Sequence, residues 1–272
     1  MTVGYRSIGR ETRGPVVIDD IAIDAGDDPP IEAFLVTPGS PVGATMGQPL
    51  GPAILAWHWF DTAADDNDRT QFVDEAVELA GRGVTSLLPQ GRFPWSTPPT
   101  GADADRAAIE GEVARIHAGF AALRAMATVD PSRIALVGHD FGGMFAAVAA
   151  PDVADLRALV LIAATPRWGD WFLPFWPIPD DRLDYLAALR SLDPIERIAA
   201  VGGARVLFQF GRRDFFIAPM TGLEFHAAAP DGAELLPYDD EHAMRDPQVR
   251  ADRRAFLLRA LDLEADPSST AG

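Results

Sequence analysis

The chain has 272 residues, with 23 Lys+Arg against 40 Asp+Glu, a formal net charge of −17 and 48% hydrophobic residues. That length suits one large domain, and so large an acid excess repels phosphate backbones, which excludes nucleic acid as an expected partner. There is no cysteine, so disulfides, thiolate metal sites and a thiol nucleophile are excluded.

The N-terminus, M-T-V-G-Y-R-S-I-G-R, lacks the apolar core of a signal peptide. Apolar runs such as Ala158 to Ala164 fall far short of the roughly 20 residues of a membrane span. A soluble, cytoplasmic protein with no membrane partner is expected. Nothing in the pattern points to a particular oligomeric state.

In chain order, Val16 to Ile23 and Ile31 to Val36 read as two strands around the turn Gly26-Asp27-Asp28-Pro29-Pro30, an antiparallel start. Ala53 to Trp57 is a short apolar run of the kind buried on both faces of a parallel sheet. Phe72, Ala76 and Leu79 recur at helical spacing, and the strand Val84 to Leu88 follows. Ile109, Val113, Ile116, Phe120, Leu123 and Met126 keep one helix face apolar, and Asp130-Pro131 closes that segment. Strand Ile134 to Val137, helix Phe141 to Ala150 and strand Ala158 to Ala163 come next. Residues 166 to 203 break the alternation as a lid-like insert. Strand Val206 to Phe210, helix Pro219 to Ala229, strand Glu234 to Pro237 and helix Pro247 to Leu263 complete it, with a frayed tail over about 264–272.

Strands alternating with helices in this way predict a single α/β domain over 1–272: a mostly parallel, eight-stranded sheet with helices on both faces. Its functional crevice would lie beyond the carboxyl ends of the strands.

Gly138-His139-Asp140-Phe141-Gly142-Gly143 stands between an apolar strand and an Ala-rich helix. A G-x-Nuc-x-G elbow needs small residues on both sides of a nucleophile held on a tight, strained turn at a helix N-terminus. The usual serine is replaced by Asp140, whose carboxylate suits the positive end of the helix dipole. Asp is also a favoured N-cap. Asp214 follows the strand V-L-F-Q-F, and His242 follows the last strand. The order nucleophile, acid, histidine is that of the α/β-hydrolase architecture.

On these residues the chain resembles the α/β-hydrolase superfamily over roughly residues 15–262. Its layout is similar to the dienelactone-hydrolase-like branch, through the antiparallel start, the lack of a large cap and L-F-Q-F-G-R-R-D before the acid. The elbow G-H-D-F-G-G instead resembles epoxide hydrolases and dehalogenases, which carry an aspartate nucleophile. The resemblance implies a catalytic set of Asp140, Asp214 and His242, with an oxyanion hole from the N–H of Phe141 and one from His58-Trp59-Phe60, assigned to Trp59. Each such donor is worth roughly 10²–10³ in rate.

The nucleophile's chemistry narrows the reaction. A carboxylate attacking an acyl carbon makes an anhydride, whereas attack at an sp³ carbon leaves an ester that water activated by His242 can cleave. The expected activity is therefore cofactor-free and metal-free epoxide opening or dehalogenation. The alternatives are an ester or lactone hydrolase with Asp140 as base, and a non-catalytic binding protein on the same fold. The six tryptophans follow strands at the presumed active edge. With His58, Phe60, His139 and Tyr185, four of them, Trp95, Trp168, Trp171 and Trp176, are the candidate pocket for an apolar or aromatic small molecule. The sequence departs from both aspartate families. Phe141 stands where a halide-binding tryptophan usually follows the nucleophile, and the insert holds one tyrosine, Tyr185, where two lid tyrosines serve epoxide hydrolases.

Overall fold

A computed structural model describes residues 4–26, 28–39, 50–60, 64–92, 99–178 and 181–264. Among the described residues lie β1 (Tyr5–Arg13), β2 (Val16–Ala25), β3 (Asp28–Pro38), β4 (Gly51–Trp57), β5 (Thr85–Pro89), β6 (Val129–His139), β7 (Leu156–Ile162), β8 (Arg205–Gly211) and β9 (Glu234–Tyr238). The helices are α1 (Val73–Ala80), α2 (Ala102–Ala125), α3 (Phe141–Ala149), α4 (Trp168–Phe175), α5 (Arg182–Leu189), α6 (Pro194–Ile198), α7 (Pro219–Ala227) and α8 (Pro247–Ala260). The strands form one sheet in the order β1-β2-β3-β5-β4-β6-β7-β8-β9. The first three run antiparallel and β3 meets β5 antiparallel, while β5 through β9 are parallel.

The sheet has nine strands, not the expected eight. The extra one is β1, whose sequence YRSIGRETR is exposed along its whole length. It has no buried face and so no period-2 signal; it is held by its ladder to β2 across the turn at Gly14 (φ 60°). The central strands carry the opposite pattern. Leu136 and Leu159 are fully buried, and both faces of β6 and β7 are covered, which explains their unbroken apolar runs. On β4, Ile54 and Ala56 line the same small cavity as Leu79 of α1 and Leu257 of α8. Leu55, pointing the other way, packs so closely on α2 that a Cβ at Gly119 would come within 3.0 Å of it. The helices thus cover both faces. α4, α5 and α6 occupy the insert that breaks the strand–helix alternation.

Candidate active site

Three glycines create the turn after β6. A Cβ on Gly138 would stand 2.3 Å from the carbonyl oxygen of Gly142, and one on Gly142 would stand 2.4 Å from those of Trp57 and His58. A Cβ on Gly143 would approach Ala164 Cβ to 2.8 Å. With side chains absent on both sides, the strand runs directly into α3, and Asp140 takes φ 56°, ψ −122° between them. An L-residue held at positive φ costs on the order of 1–3 kcal/mol, a strain that concentrates at functional sites. The Asp140 side chain is not an N-cap: it makes no capping bond to α3. It stands fully buried instead, and its Oδ2 accepts from the Phe60 N–H at 3.2 Å. The Phe141 N–H also donates to this carboxylate. Oδ1 is buried, has no hydrogen-bond partner among the described residues, and faces His242 Nε2 at 3.5 Å.

His242, on the loop after β9, donates through Nδ1 to Asp214 Oδ2 at 2.8 Å. The other oxygen of Asp214 accepts from the N–H groups of Phe216 (2.8 Å) and Ile217 (3.0 Å), so the acid that orients the histidine is itself pinned. Burial alone would lower the pKa of His242, but the hydrogen bond to Asp214 and the negative charges of Asp140 and Asp214 outweigh it and push the pKa up to about 10. Burial raises the pKa of Asp140, against the opposing pull of His242 and the two N–H donors. The strand ends therefore bring the three expected catalytic side chains together, in a closed site where Asp140 has no exposed surface and His242 is 8% exposed.

The oxyanion-loop assignment shifts by one residue. The Trp59 N–H donates to Gln71 Oε1 at 2.9 Å, and it is the next N–H, that of Phe60, that reaches Asp140. The Trp59 indole stacks flat on His139, 5.0 Å between centroids and 5° between planes. Trp171 stacks on Phe141 (5.2 Å), meets His242 edge-on (5.7 Å), and carries a buried indole N–H with no hydrogen-bond partner among the described residues. Phe60 packs edge-on against Phe141 at 6.3 Å. These aromatic side chains, with His139, border the candidate catalytic set.

Other expected pocket residues do not. Both ring nitrogens of His58 serve the main chain, Nδ1 donating to the Trp59 carbonyl (2.8 Å) and Nε2 accepting from the Gly91 N–H (2.9 Å). Burial lowers its pKa to about 4, so it stays neutral and structural. Tyr185 is buried and its hydroxyl donates to Asp105 Oδ2 at 2.7 Å, which ties α5 to α2 and leaves no phenol for the site. The Trp168 indole donates to the Leu192 carbonyl inside the insert, and Trp176 packs on Phe172. Trp95 lies outside the described residues. Two residues that the sequence did not single out matter here. Phe216 stands edge-on to His242 at 5.0 Å and is 43% exposed, at the mouth; its place two residues after Asp214 was an available signal. Gln71 bonds both Trp59 and His139, and nothing in the local sequence marks it. Among the described residues no group of three or more His, Asp or Glu side chains could hold a metal ion, and no helix is long and apolar enough to cross a membrane.

Comparison with known proteins supplies the remaining datum. Residues 93–202 match the family described as alpha/beta hydrolase fold. An acetyl xylan esterase from a Paenibacillus species superposes with a TM-score of 0.75 at 18% identity, over 94% of this chain and 87% of that one. This is the α/β-hydrolase fold. Two further structures share it. One is an acetyl xylan esterase from a Thermoanaerobacterium species, with a TM-score of 0.70 at 15% identity over 97% of this chain and 88% of that one. The other is a candidate dienelactone hydrolase from Klebsiella pneumoniae, with a TM-score of 0.60 at 16% identity over 96% and 98%. No curated protein matches the chain in sequence.

Proposed function

We propose that the protein is a hydrolase that carries its substrate as an ester on Asp140. Oδ1 attacks an sp³ carbon, forming a C–O bond while the bond to the leaving group breaks. Water then attacks Asp140 Cγ, giving up its proton to His242 Nε2, and the alcohol leaves. One observation carries this reading: the carboxylate is held by the Phe60 and Phe141 N–H groups while Oδ1 stays bare toward His242. The same two donors stand ready for the oxyanion formed when water attacks the ester. The buried, unpartnered indole N–H of Trp171 is the group suited to receive the leaving halide or epoxide oxygen. The aromatic walls favour an apolar small molecule.

A second reading is favoured by the structural comparisons, which bring forward esterases and a candidate dienelactone hydrolase. There an ester or lactone is hydrolysed with Asp140 as base. Against it, the N–H donors that would receive the substrate carbonyl already hold Asp140 itself.

A single turnover with enzyme in excess, in water labelled with heavy oxygen, separates the two. The probes are styrene oxide, chloroacetate and p-nitrophenyl acetate. Label in Asp140 with none in the first product, and an adduct on the Asp140 peptide of a His242→Gln variant, support the covalent route. Label directly in acetate with none in Asp140, and no adduct on the Asp140 peptide of the His242→Gln variant, support the second reading and overturn the first.

A further inference from the structure

A line of hydrogen bonds passes beneath the site and joins its two halves. The Trp59 N–H donates to Gln71 Oε1 (2.9 Å), the Gln71 amide N–H donates to His139 Nδ1 (2.5 Å), and His139 Nε2–H donates to the His242 carbonyl oxygen (3.0 Å). The ends of this line fix its direction. A main-chain N–H can only donate and a main-chain carbonyl can only accept. Gln71 must therefore turn its oxygen to Trp59 and its nitrogen to His139, and His139 must keep its single proton on Nε2. Neither side chain is free to reverse without setting donor against donor. His139 is 1% exposed and clamped flat under the Trp59 indole, so its bond to the His242 carbonyl is made in a buried setting.

The line begins one residue before Phe60, whose N–H holds Asp140 Oδ2, and ends on the main chain of His242, whose imidazole faces Oδ1. We propose that Gln71 and His139 are positioning residues that hold the oxyanion loop and the histidine loop in register across Asp140. The proposal rests on Asp140 and His242 being the catalytic pair. Neither Gln71 nor His139 touches the bare Oδ1; each acts through the main chain that carries a catalytic group. Glutamine at position 139 can reproduce both bonds, accepting from Gln71 and donating to His242, while leucine can reproduce neither.

The test uses full-length protein with nitrogen-labelled histidine, followed by NMR, so its first readout needs no substrate. The wild type should show His139 as the Nε2–H tautomer. Gln71→Glu puts an acceptor on Nδ1, so His139 should take a second proton and read as imidazolium at neutral pH. Gln71→Leu should move the ring signals of His242, although Gln71 does not touch that ring, and His139→Leu should move the Phe60 amide. Misplacement of a reacting group by about 1 Å can cost on the order of 100-fold, so kcat for whichever probe is turned over should fall about tenfold or more in Gln71→Leu and His139→Leu. His139→Gln should recover most of that loss, with KM little changed throughout. An Nδ1–H tautomer in the wild type, or His242 signals unmoved in Gln71→Leu, overturns the proposal. Failure of every probe with wild-type enzyme would count against the hydrolase reading alone, because the tautomer and the coupled signals decide the relay by themselves.

Discussion

Replacing Asp140 by asparagine should stabilise the protein while removing its activity. Asn tolerates positive φ nearly as well as Asp, so the strain at φ 56° stays. Its oxygen can keep the Phe60 and Phe141 N–H groups, so shape and hydrogen bonds are conserved and the change isolates the charge. In the folded protein the pKa of Asp140 is raised because burial outweighs His242 and both N–H donors. A carboxyl whose pKa is higher folded than unfolded costs stability once the pH exceeds its unfolded value near 3.8. At pH 7 the wild type bears that cost and the variant does not. Relief of this kind at an active site is commonly worth about 0.5–2 kcal/mol. For a chain of this size it raises Tm by roughly 1–8 °C. Melting followed by circular dichroism at pH 7 and again near pH 4 checks both sign and cause, since the advantage must shrink in acid as the wild-type carboxyl protonates. In the same variant the pKa of His242 should fall from about 10, because the charge of Asp140 is a leading cause of its elevation. A properly folded variant that melts below the wild type at pH 7 would refute the argument, showing that attraction to His242 outweighs burial.

Three further substitutions bear on other parts of the structure. Gly142→Ala would place a Cβ 2.4 Å from the carbonyl oxygens of Trp57 and His58; a denaturant titration should show a loss of about 1–3 kcal/mol, and turnover should fall with it because the oxyanion loop must retreat. Trp171→Phe keeps an aromatic ring over Phe141 but removes the unpartnered indole N–H, so kcat on the active probe should drop by about 10²-fold while the melting curve changes far less. Tyr185→Phe strips the donor from the buried Asp105; it should cost about 1–3 kcal/mol by equilibrium unfolding and leave kcat and KM little changed, since this hydroxyl is committed to Asp105.

How much of this was legible in the sequence depended on what kind of contact was at stake. β4, β6, β7 and β8 are buried on both faces, so their apolar runs announced a parallel sheet. The exposed β1 was silent because it buries nothing. Asp140, Asp214 and His242 were legible because a strained turn demands glycines and each of the three sits at a strand end. Which N–H of the loop faces Asp140 was not. That choice is made by Gln71, which captures the Trp59 N–H and leaves Phe60 to the carboxylate. Tyr185 read as a pocket phenol because its partner, Asp105, lies 80 residues away in sequence, beyond any local pattern. Of the aromatic residues expected at the candidate site, Trp59 and Trp171 border His242 while Trp168 and Trp176 build the insert.

The proton count of the resting site bears on which sp³ substrate suits it. With a pKa near 10, His242 is protonated at neutral pH, and its proton faces Asp140. On the proposed covalent route, alkylation removes the Asp140 charge and with it a leading reason for that high pKa. His242 then becomes a stronger acid at the moment the leaving group departs, and a competent base once its proton is gone. A departing halide has no use for that proton, whereas an opened epoxide leaves an alkoxide that needs one. Epoxide hydrolysis ordinarily draws it from lid phenols, and here the one phenol of the insert is committed to Asp105. A resting imidazolium supplies the missing acid from the same side chain that later acts as base. If the covalent reading holds, styrene oxide should therefore turn over faster than chloroacetate, and the reverse order would refute this role for the His242 proton.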